Sequence, residues 1–326
     1  MDLLFLGDVM LGRLVNRMLE KKTPEYPWGD TLPLIRKADL RVCNLECVIS
    51  DFGVPWSATP KVFHFRTDEK NVKCLKAAGI DIVSLANNHV LDFEYDALTG
   101  MLSILDREGV VHAGAGNNIK EASQPATISI DGLKVALVAF TDNEPSWEAQ
   151  DSLPGVLFCP IDIKDERAKS VFEIVRQTKA KVDLVIASAH WGPNWGYRPR
   201  PKHIPFAHAL IDAGADIVFG HSCHVFHGIE IYKKRPIIYS AGDFIDDYAV
   251  DEIERNDESF IFIVHTEGKR ITGLTLHPTI ISEFQASMAW VPRAELISAK
   301  MKNLCSEFGT KAEWNGKRHC LKVEVS

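Results

Sequence analysis

The sequence of 326 residues lacks the features that mark membrane and nucleic-acid-binding proteins. No apolar run approaches the roughly 20 residues that a membrane-spanning helix needs. Its 37 basic and 44 acidic residues are interspersed, which argues against a polyanionic partner such as nucleic acid. The first residues, MDLLFLGDVMLG, carry no basic group ahead of their apolar run, so no signal peptide is expected. We therefore expect a cytoplasmic protein without a membrane span.

Paired cysteine motifs are also lacking. The seven cysteines are an odd number, are scattered along the chain and form no CxxC pair. A disulfide framework or a zinc ribbon is therefore not expected, and we predict that most of these cysteines are reduced and buried.

Short apolar runs alternate instead with helix-like stretches, a pattern that is typical of an α/β protein. Six runs are predicted as buried strands, at residues 2–6, 39–44, 79–86, 133–140, 182–190 and 215–220. Four later runs favour antiparallel strands, at residues 229–232, 236–240, 259–265 and 270–277. No repeat or long linker divides the chain, so we predict a main domain over residues 1–285 and a helix-and-strand appendage over residues 286–326.

Polar residues follow most of the predicted strands. In chain order they are Asp8, Asn44, Glu46, Asn87, Asn88, His89, His190, His221, His224 and Asp243. Open α/β sheets bind ligands outside the carboxyl ends of their strands, so these residues are better candidates than polar residues elsewhere. Carboxylates, an amide oxygen and imidazoles together suit a dinuclear centre of Mn²⁺, Fe, Zn²⁺ or a similar ion.

Each of these residues, taken alone, also fits a structural role. Asp8 would then bond the turn after a strand, Asn87 and Asn88 would form turns, and His89 would cap or pack against the next helix. Their joint occurrence at six strand ends favours the metal site. Three further histidines are assigned to structural roles: His203, His208 and His227.

Two loops are candidates for substrate contacts. The segment HWGPNWGYRPRPKH, residues 190–203, places Trp191 and Arg198 after a predicted strand, which suits a carboxylate- or phosphate-bearing substrate with a flat or apolar portion. The same sequence is also compatible with a solvated, proline-rich loop whose aromatic residues pack against one another. Arg66, in the segment 52–67, is a third candidate for contact with the substrate.

A series of motifs carries a family resemblance. In chain order they are GDVMLGR, NLECVISD, GIDIVSLANNHVLDF, GAGNN, SAHWGPNW, IDAGADIVFGHSCHVFHGIEIY and PIIYSAGDFI. Over residues 2–247 the chain resembles the CapA family, the PgsA-like capsule or poly-γ-glutamate biosynthesis proteins of the calcineurin-like metallophosphoesterase superfamily. The resemblance implies a four-layer α/β/β/α sandwich of two mixed sheets, with a two-metal site at one edge.

The resemblance also implies residue roles. The expected ligands are Asp8 and His224 for the first ion, Asn88, His190 and His221 for the second, and Glu46 as the bridging carboxylate. His89 takes the place of the general acid, and we add Asn87 and Asp243 to the catalytic set. Three motifs depart from the usual pattern, and one of them is GHSCH, where Ser222 and Cys223 replace two residues of the usual GHHPH. Met10 stands where phosphoesterases commonly have a histidine, and the sequence GDF replaces GNF, so that Asp243 adds a carboxylate.

The function implied is that of a metal-dependent hydrolase. Two divalent ions, Mn, Fe, Zn or Mg, would activate water on a phosphoester or related bond while His89 moves a proton. The same arrangement also suits a metal-assisted epimerase or amide hydrolase, and a third alternative is a binding component without turnover. The expected substrate is a small molecule, or a peptide or polyglutamate-like chain.

Overall fold

The computed structural model describes residues 1–325, which form a mixed α/β protein built around two large sheets. The described residues contain eight α-helices and three short 3₁₀ helices. The α-helices are α1 Arg13–Leu19, α2 Leu32–Ile35, α3 Val72–Ala78, α4 Glu94–Glu108, α5 Ile119–Ala122, α6 Glu166–Lys179, α7 His203–Ala213 and α8 Arg293–Ser306. The predicted α/β class is therefore confirmed.

The first large sheet has ten strands, four of which run parallel from its centre to one edge. Its main path is β19 (Ala312–Asn315), β20 (Cys320–Glu324), β17 (Arg270–Ser282), β16 (Glu258–Glu267), β1 (Asp2–Val9), β2 (Leu40–Leu45), β5 (Ile82–Ser84) and β6 (Val111–Ala113). Two more strands lie off this path, β15 (Asp243–Ile245) on β1 and β18 (Gln285–Met288) on β17.

The second large sheet has six strands and a parallel centre. Its order is β13 (Ile229–Tyr232), β14 (Arg235–Ile238), β12 (Ile217–His221), β11 (Leu184–His190), β9 (Leu133–Thr141) and β8 (Ala126–Ile130). Two small pairs complete the strands, β3 (Val48–Ile49) with β4 (Arg66–Thr67) and β7 (Ala115–Gly116) with β10 (Gly155–Val156).

Alternating side chains explain how the two sheets pack. Phe5 and Leu3 of β1 point into one apolar cluster together with Phe219 of β12 and Ile186 of β11. The Phe5 and Phe219 ring centroids lie 5.2 Å apart, so the inner faces of the sheets contact each other. The neighbouring β1 residues Leu4 and Leu6 point to the opposite face, because successive side chains of a strand alternate.

The outer faces are covered by helices. Leu98 and Leu105 of α4 belong to the cluster on the outer face of the first sheet. Val171 of α6 and Phe206 of α7 belong to the cluster on the second sheet. Helix α4 is capped by Gly109, whose φ of 68° is in the left-handed region that glycine adopts without strain.

The C-terminal segment joins the first sheet. Strand β20 pairs with β17, β19 pairs with β20, and α8 packs against the β17 and β20 strands. Within residues 1–325 no helix has both the length and the apolarity to cross a bilayer. All seven cysteines are free and buried, as predicted.

The strand register places the carboxyl ends of both sheets at one edge. Asp8 lies opposite Asn44 on one side and Asp243 on the other, while His190 lies opposite His221. Strand β1 can approach the start of β15 closely because residue 7 is glycine: a Cβ added to Gly7 would lie 1.8 Å from the Gly242 carbonyl oxygen. Five polar side chains from separate segments therefore meet at this edge.

Candidate metal centre

The first group of converging donors comprises Asp8, His190 and His221, whose ligand atoms all lie within 4.8 Å of one another. His190 Nδ1 lies 2.8 Å from His221 Nδ1, and Asp8 Oδ1 lies 3.8 Å from the latter atom. Asn88 Oδ1, also predicted as a ligand, lies 2.9 Å from His190 Nε2, the ring nitrogen opposite to the one that faces His221. Asn44 donates to Asp8 Oδ1 at 2.8 Å and fixes that carboxylate.

A second group comprises Asp8, His224 and Asp243 within the same 4.8 Å limit. His224 Nδ1 lies 3.0 Å from Asp243 Oδ1. Asp8 is therefore the carboxylate common to both groups. Glu46 lies to one side, with its Oε1 3.9 Å from both His89 Nε2 and His190 Nε2.

The carboxylates at this edge are buried and close to one another. Burial raises the pKa of Glu46 well above its ordinary value, and the nearby charges of Asp8 and Asp243 raise it further. Burial likewise raises the pKa of Asp243, to which the charge of Asp8 adds, and raises the pKa of the neighbouring Asp246, to which the charge of Asp243 adds. Glu46 Oε2, Asp243 Oδ2 and Asp246 Oδ2 are buried without a hydrogen-bond partner among the described residues. Buried acceptors without donors are costly, and a bound cation would satisfy them.

The imidazoles suit the same occupant. Burial lowers the pKa of His221 to about 3 and lowers the pKa of His190 well below its ordinary value, with the charge of His221 contributing. Both rings are therefore neutral near pH 7 and carry a lone pair for a metal ion. Carboxylate, amide and imidazole donors in this number fit Mn²⁺, Fe²⁺ or Zn²⁺.

His89 stands beside these donors and is oriented by Asp92. The His89 Nδ1 atom lies 2.6 Å from Asp92 Oδ2, which also accepts from the Phe65 amide at 2.6 Å. Lys61 Nζ lies 3.3 Å from Asp92 Oδ1 and donates to the Asn88 carbonyl at 2.7 Å. Burial and then the Lys61 charge hold the pKa of His89 well below its usual range. His89 thus has one nitrogen fixed and the other, Nε2, facing the carboxylate edge.

Asn87 holds the loop rather than facing the cavity. Its side chain donates to Asn44 Oδ1 at 3.0 Å and to the Leu45 carbonyl at 2.9 Å, and its own oxygen accepts from the His89 amide at 2.9 Å. These bonds connect the β2 and β5 strand ends. Met10 is fully buried beside the site, and its sulfur accepts from the Gly12 amide at 3.0 Å.

A cavity of about 530 Å³ opens above the donors. Besides Glu46, Asn88, His89 and His224, its walls include Arg13, Lys61, Phe63, Phe65, Trp195 and Tyr248. Phe65 stacks on the His89 ring at 3.9 Å, and Trp195 and Tyr248 lie 5.5 and 5.1 Å from the His224 ring. Aromatic walls thus surround a polar floor.

The residues predicted to contact the substrate lie outside this cavity. Trp191 is buried in the core, where its indole donates to the Tyr239 carbonyl at 2.9 Å. Arg198 forms an exposed double hydrogen bond with Glu307. Arg66 lies with its guanidinium carbon 4.5 Å from the Phe93 ring centroid and donates to the Gly53 carbonyl.

Sequence reasoning missed four residues of this region: Arg13, Asp92, Asp246 and Tyr248. Asp92 had a signal, since it follows His89 by three residues within NNHVLD and can fold back on it. Asp246 and Tyr248 follow strand β15, at the start of the acidic segment DDYAVDEIERND, residues 246–257. Their burial depends on the pairing of β15 with β1, which local sequence does not reveal.

These observations define a mixed α/β protein with a candidate metal centre at the shared edge of two sheets. The profile described as bacterial capsule synthesis protein PGA_cap matches residues 2–248, and the chain belongs to this family. The predicted CapA resemblance is therefore confirmed.

Two relatives illustrate the family. The chain is 32% identical over 316 residues to a probable polyglutamine synthesis accessory protein of Mycobacterium tuberculosis, which covers 93% of this chain and 83% of that one. It is 30% identical over 243 residues to the capsule biosynthesis protein CapA of Bacillus anthracis, covering 74% of this chain and 58% of CapA. A crystal structure of a hypothetical protein from Thermus thermophilus shares the fold, with a TM-score of 0.52 at 18% identity over 85% of this chain and 98% of that one.

Proposed function

We propose that this chain is a metal-dependent hydrolase that acts on a phosphoester or a related bond, with a four-layer α/β/β/α sandwich of the metallophosphatase type as its scaffold. The observation that carries the proposal is the position of Asp8, one buried carboxylate shared by two sets of converging donors. A shared carboxylate between two three-donor sets is the arrangement that a dinuclear site needs.

The proposed ligands divide by neighbourhood. Asp8, His190 and His221 would hold one ion, and Asp8, His224 and Asp243 the other. Asn88 lies at the opposite ring nitrogen of His190, so it would join the first ion only with that ring turned over. Glu46, with its partnerless Oε2, would complete one sphere or bridge the two. Divalent ions supply, when bound, a lowered pKa for water and positive charge for the substrate's oxygens.

His89 is the proposed proton donor or acceptor. Its Nδ1 is fixed by Asp92, which leaves Nε2 as the nitrogen available at the cavity floor. Phe65 stacks on the ring and keeps water from one of its faces. The residues of this chain therefore set both the tautomer and the orientation of the imidazole, as a general acid or base requires.

A second candidate reaction is hydrolysis of an amide in a glutamyl chain. It is favoured by the names of the relatives, which concern polyglutamine synthesis, capsule biosynthesis and PGA biosynthesis. The same donors and the same histidine serve either bond, because both reactions place negative charge on an oxygen near the ions.

Metal-dependent turnover tests the proposal. Protein stripped with a chelator and reloaded with Mn²⁺, Fe²⁺, Zn²⁺ or Mg²⁺ is assayed on p-nitrophenyl phosphate, bis-p-nitrophenyl phosphate and a poly-γ-glutamate oligomer. We expect cleavage of at least one ester that disappears on stripping and returns with one of the ions. Cleavage of the oligomer alone would select the amide reaction, and no cleavage of any of the three by fully loaded protein would overturn the hydrolase proposal.

A further inference from the structure

Arg13, the last residue of the GDVMLGR motif, has no role in the metal centre, yet it lines the cavity above it. It begins helix α1, and its backbone φ of 52° lies in the left-handed region that residues with a side chain rarely adopt. Strained backbone of this kind is kept where the surroundings hold it, and it is concentrated at functional sites.

Only one end of the guanidinium is occupied. Its Nε lies 3.2 Å from Asp247 Oδ2, the same oxygen that accepts from the Leu14 amide at 2.9 Å. Among residues 1–325, no hydrogen bond is formed by the two terminal nitrogens of Arg13. The donor pair that best fits a carboxylate or a phosphate therefore has no partner, in a residue that lines the cavity.

Aromatic rings fix where this donor pair lies. The Arg13 guanidinium carbon is 5.4 Å from the Phe65 ring centroid and 5.8 Å from that of Phe63. Phe65 in turn stacks on His89. The guanidinium thus lies beside the ring that covers His89, with 35% of the Arg13 side chain exposed to solvent.

The other cation of the cavity is not available in this way. Lys61 donates to the Asn88 carbonyl at 2.7 Å and lies within 3.4 Å of carboxylate oxygens of both Asp92 and Glu144. Its charge is used to hold the loop that carries Asn88 and His89. Arg13 is consequently the cavity's cation with unused donors.

We propose that Arg13 binds a second anionic group of the substrate, a carboxylate or a phosphate, while the scissile group lies at the Asp8 edge. The inference rests on the proposed function and narrows it to substrates that carry two anionic groups joined by a short apolar chain. Phe63 and Phe65 pack against that chain, and the bidentate fork of Arg13 selects for the distal anion.

A matched pair of phosphonates tests this assignment. Calorimetry on manganese-loaded protein compares 3-phosphonopropionate with propylphosphonate, which replaces the distal carboxylate by a methyl group. We expect the wild-type protein to bind the first about tenfold more tightly, and Arg13→Met to abolish this preference while it retains propylphosphonate. Arg13→Lys should keep part of the preference, because lysine offers a charge without the fork. Arg17→Met, an exposed arginine of the same helix, is the control and should keep all of it.

Loss of Arg13 also leaves the Asp247 carboxylate without its cation, so the double variant Arg13→Met with Asp247→Asn separates binding from folding. The assignment is overturned if the wild-type protein shows no preference, or if the preference survives in either Arg13→Met protein. The ester assay keeps the two proposals distinct. If the protein cleaves no ester but shows a ligand preference that depends on Arg13, the hydrolase proposal is wrong and the anion-binding site stands. If it cleaves an ester but shows no such preference, only the anion-binding site is wrong.

Discussion

Two groups of histidines in the second half of the chain differ in what surrounds them. His221 and His224 lie at the sheet edge, with carboxylate oxygens of Asp8 and Asp243 at 3.8 and 3.0 Å. His203 lies instead against Trp191, the two rings stacked at 5.0 Å, and His227 contacts the Gly196 carbonyl at 2.7 Å.

Burial alone does not separate the two groups. It lowers the pKa of His221 to about 3 and lowers the pKa of His203 to the same value. The two groups differ in their acidic neighbours. Only His221 and His224 lie among converging carboxylates, and some oxygens of these carboxylates accept no hydrogen bond from the described residues. A depressed histidine pKa is thus a sign of burial, and the candidate metal centre is recognised by its acids.

The largest expected effect comes from the shared carboxylate. Asp8→Asn should remove most of the bound metal and lower ester turnover by about 10²-fold or more, because both donor sets lose a ligand. The same change removes one of several repelling buried acids, so the metal-free variant should unfold at a higher temperature than metal-free wild type. Mass-spectrometric metal content and thermal melts measure the two effects. The exposed Asp151→Asn is the control, and a variant that keeps wild-type metal content would contradict the site.

A smaller effect is expected from His89, which is proposed to move a proton without binding an ion. His89→Gln should lower kcat by about 10²-fold, and Asp92→Asn by about tenfold, since Asp92 acts by orienting the ring. Both proteins should retain their metal. Parallel losses of metal and rate would show instead that these residues hold the centre together.

His224 and His227 form a matched pair three residues apart in GHSCHVFH. His224→Gln should weaken the binding of one ion by about tenfold to 100-fold, as expected for loss of one ligand. His227→Gln should leave both ions in place and cost about 1 kcal/mol of stability, for the lost bond to Gly196. Calorimetric metal titrations of the two variants measure the difference. Equal metal affinities in His224→Gln and His227→Gln would show that His224 is not a ligand.

The smallest effect concerns pH and His203. Folding holds its pKa near 3, against an ordinary value of 6.5, chiefly by burial and with help from the Lys202, His227 and Arg200 charges. Between these two pKa values His203 is protonated in the unfolded chain and neutral in the folded chain. The free energy of unfolding therefore falls as the pH falls from about 6.5 towards 3. His203→Phe keeps an aromatic ring stacked on Trp191 but cannot take up this proton. On going from pH 7 to pH 5, the variant should therefore lose less of its free energy of unfolding than the wild-type protein does, by about 1 to 2 kcal/mol. Urea unfolding of both proteins from pH 7 to pH 4 measures the difference, and parallel curves would refute it.

The sequence was informative wherever a strand ended in a polar residue. The α/β alternation, the antiparallel later strands and the edge positions of Asp8, His190 and His221 follow from local patterns, because strand direction places successive carboxyl ends together. Trp191 shows the limit. Its aromatic, arginine-rich neighbourhood suggested a substrate contact, but the residue after His190 points to the other side of the strand and enters the core.

Asp243 was a candidate from its place in the sequence, but its contact with Asp8 depends on long-range pairing, as does the position of Arg13. Asp243 reaches Asp8 only because β15 runs beside β1, more than 230 residues away in sequence. Arg13 lies beside the rings of Phe63 and Phe65, which come from a separate segment of the chain, and pairs with Asp247 from a third. Such contacts between distant segments leave no periodic signal in the amino-acid order.

The most direct test of the central claim is the metal content of the purified protein and of its Asp8→Asn variant, measured after dialysis against Mn²⁺, Fe²⁺ or Zn²⁺. The proposed two-metal site predicts close to two ions per chain in the wild-type protein with at least one of these metals and close to none in the variant. Equal metal content in the two proteins, or none in either, would contradict a metal centre at the edge of the sheets.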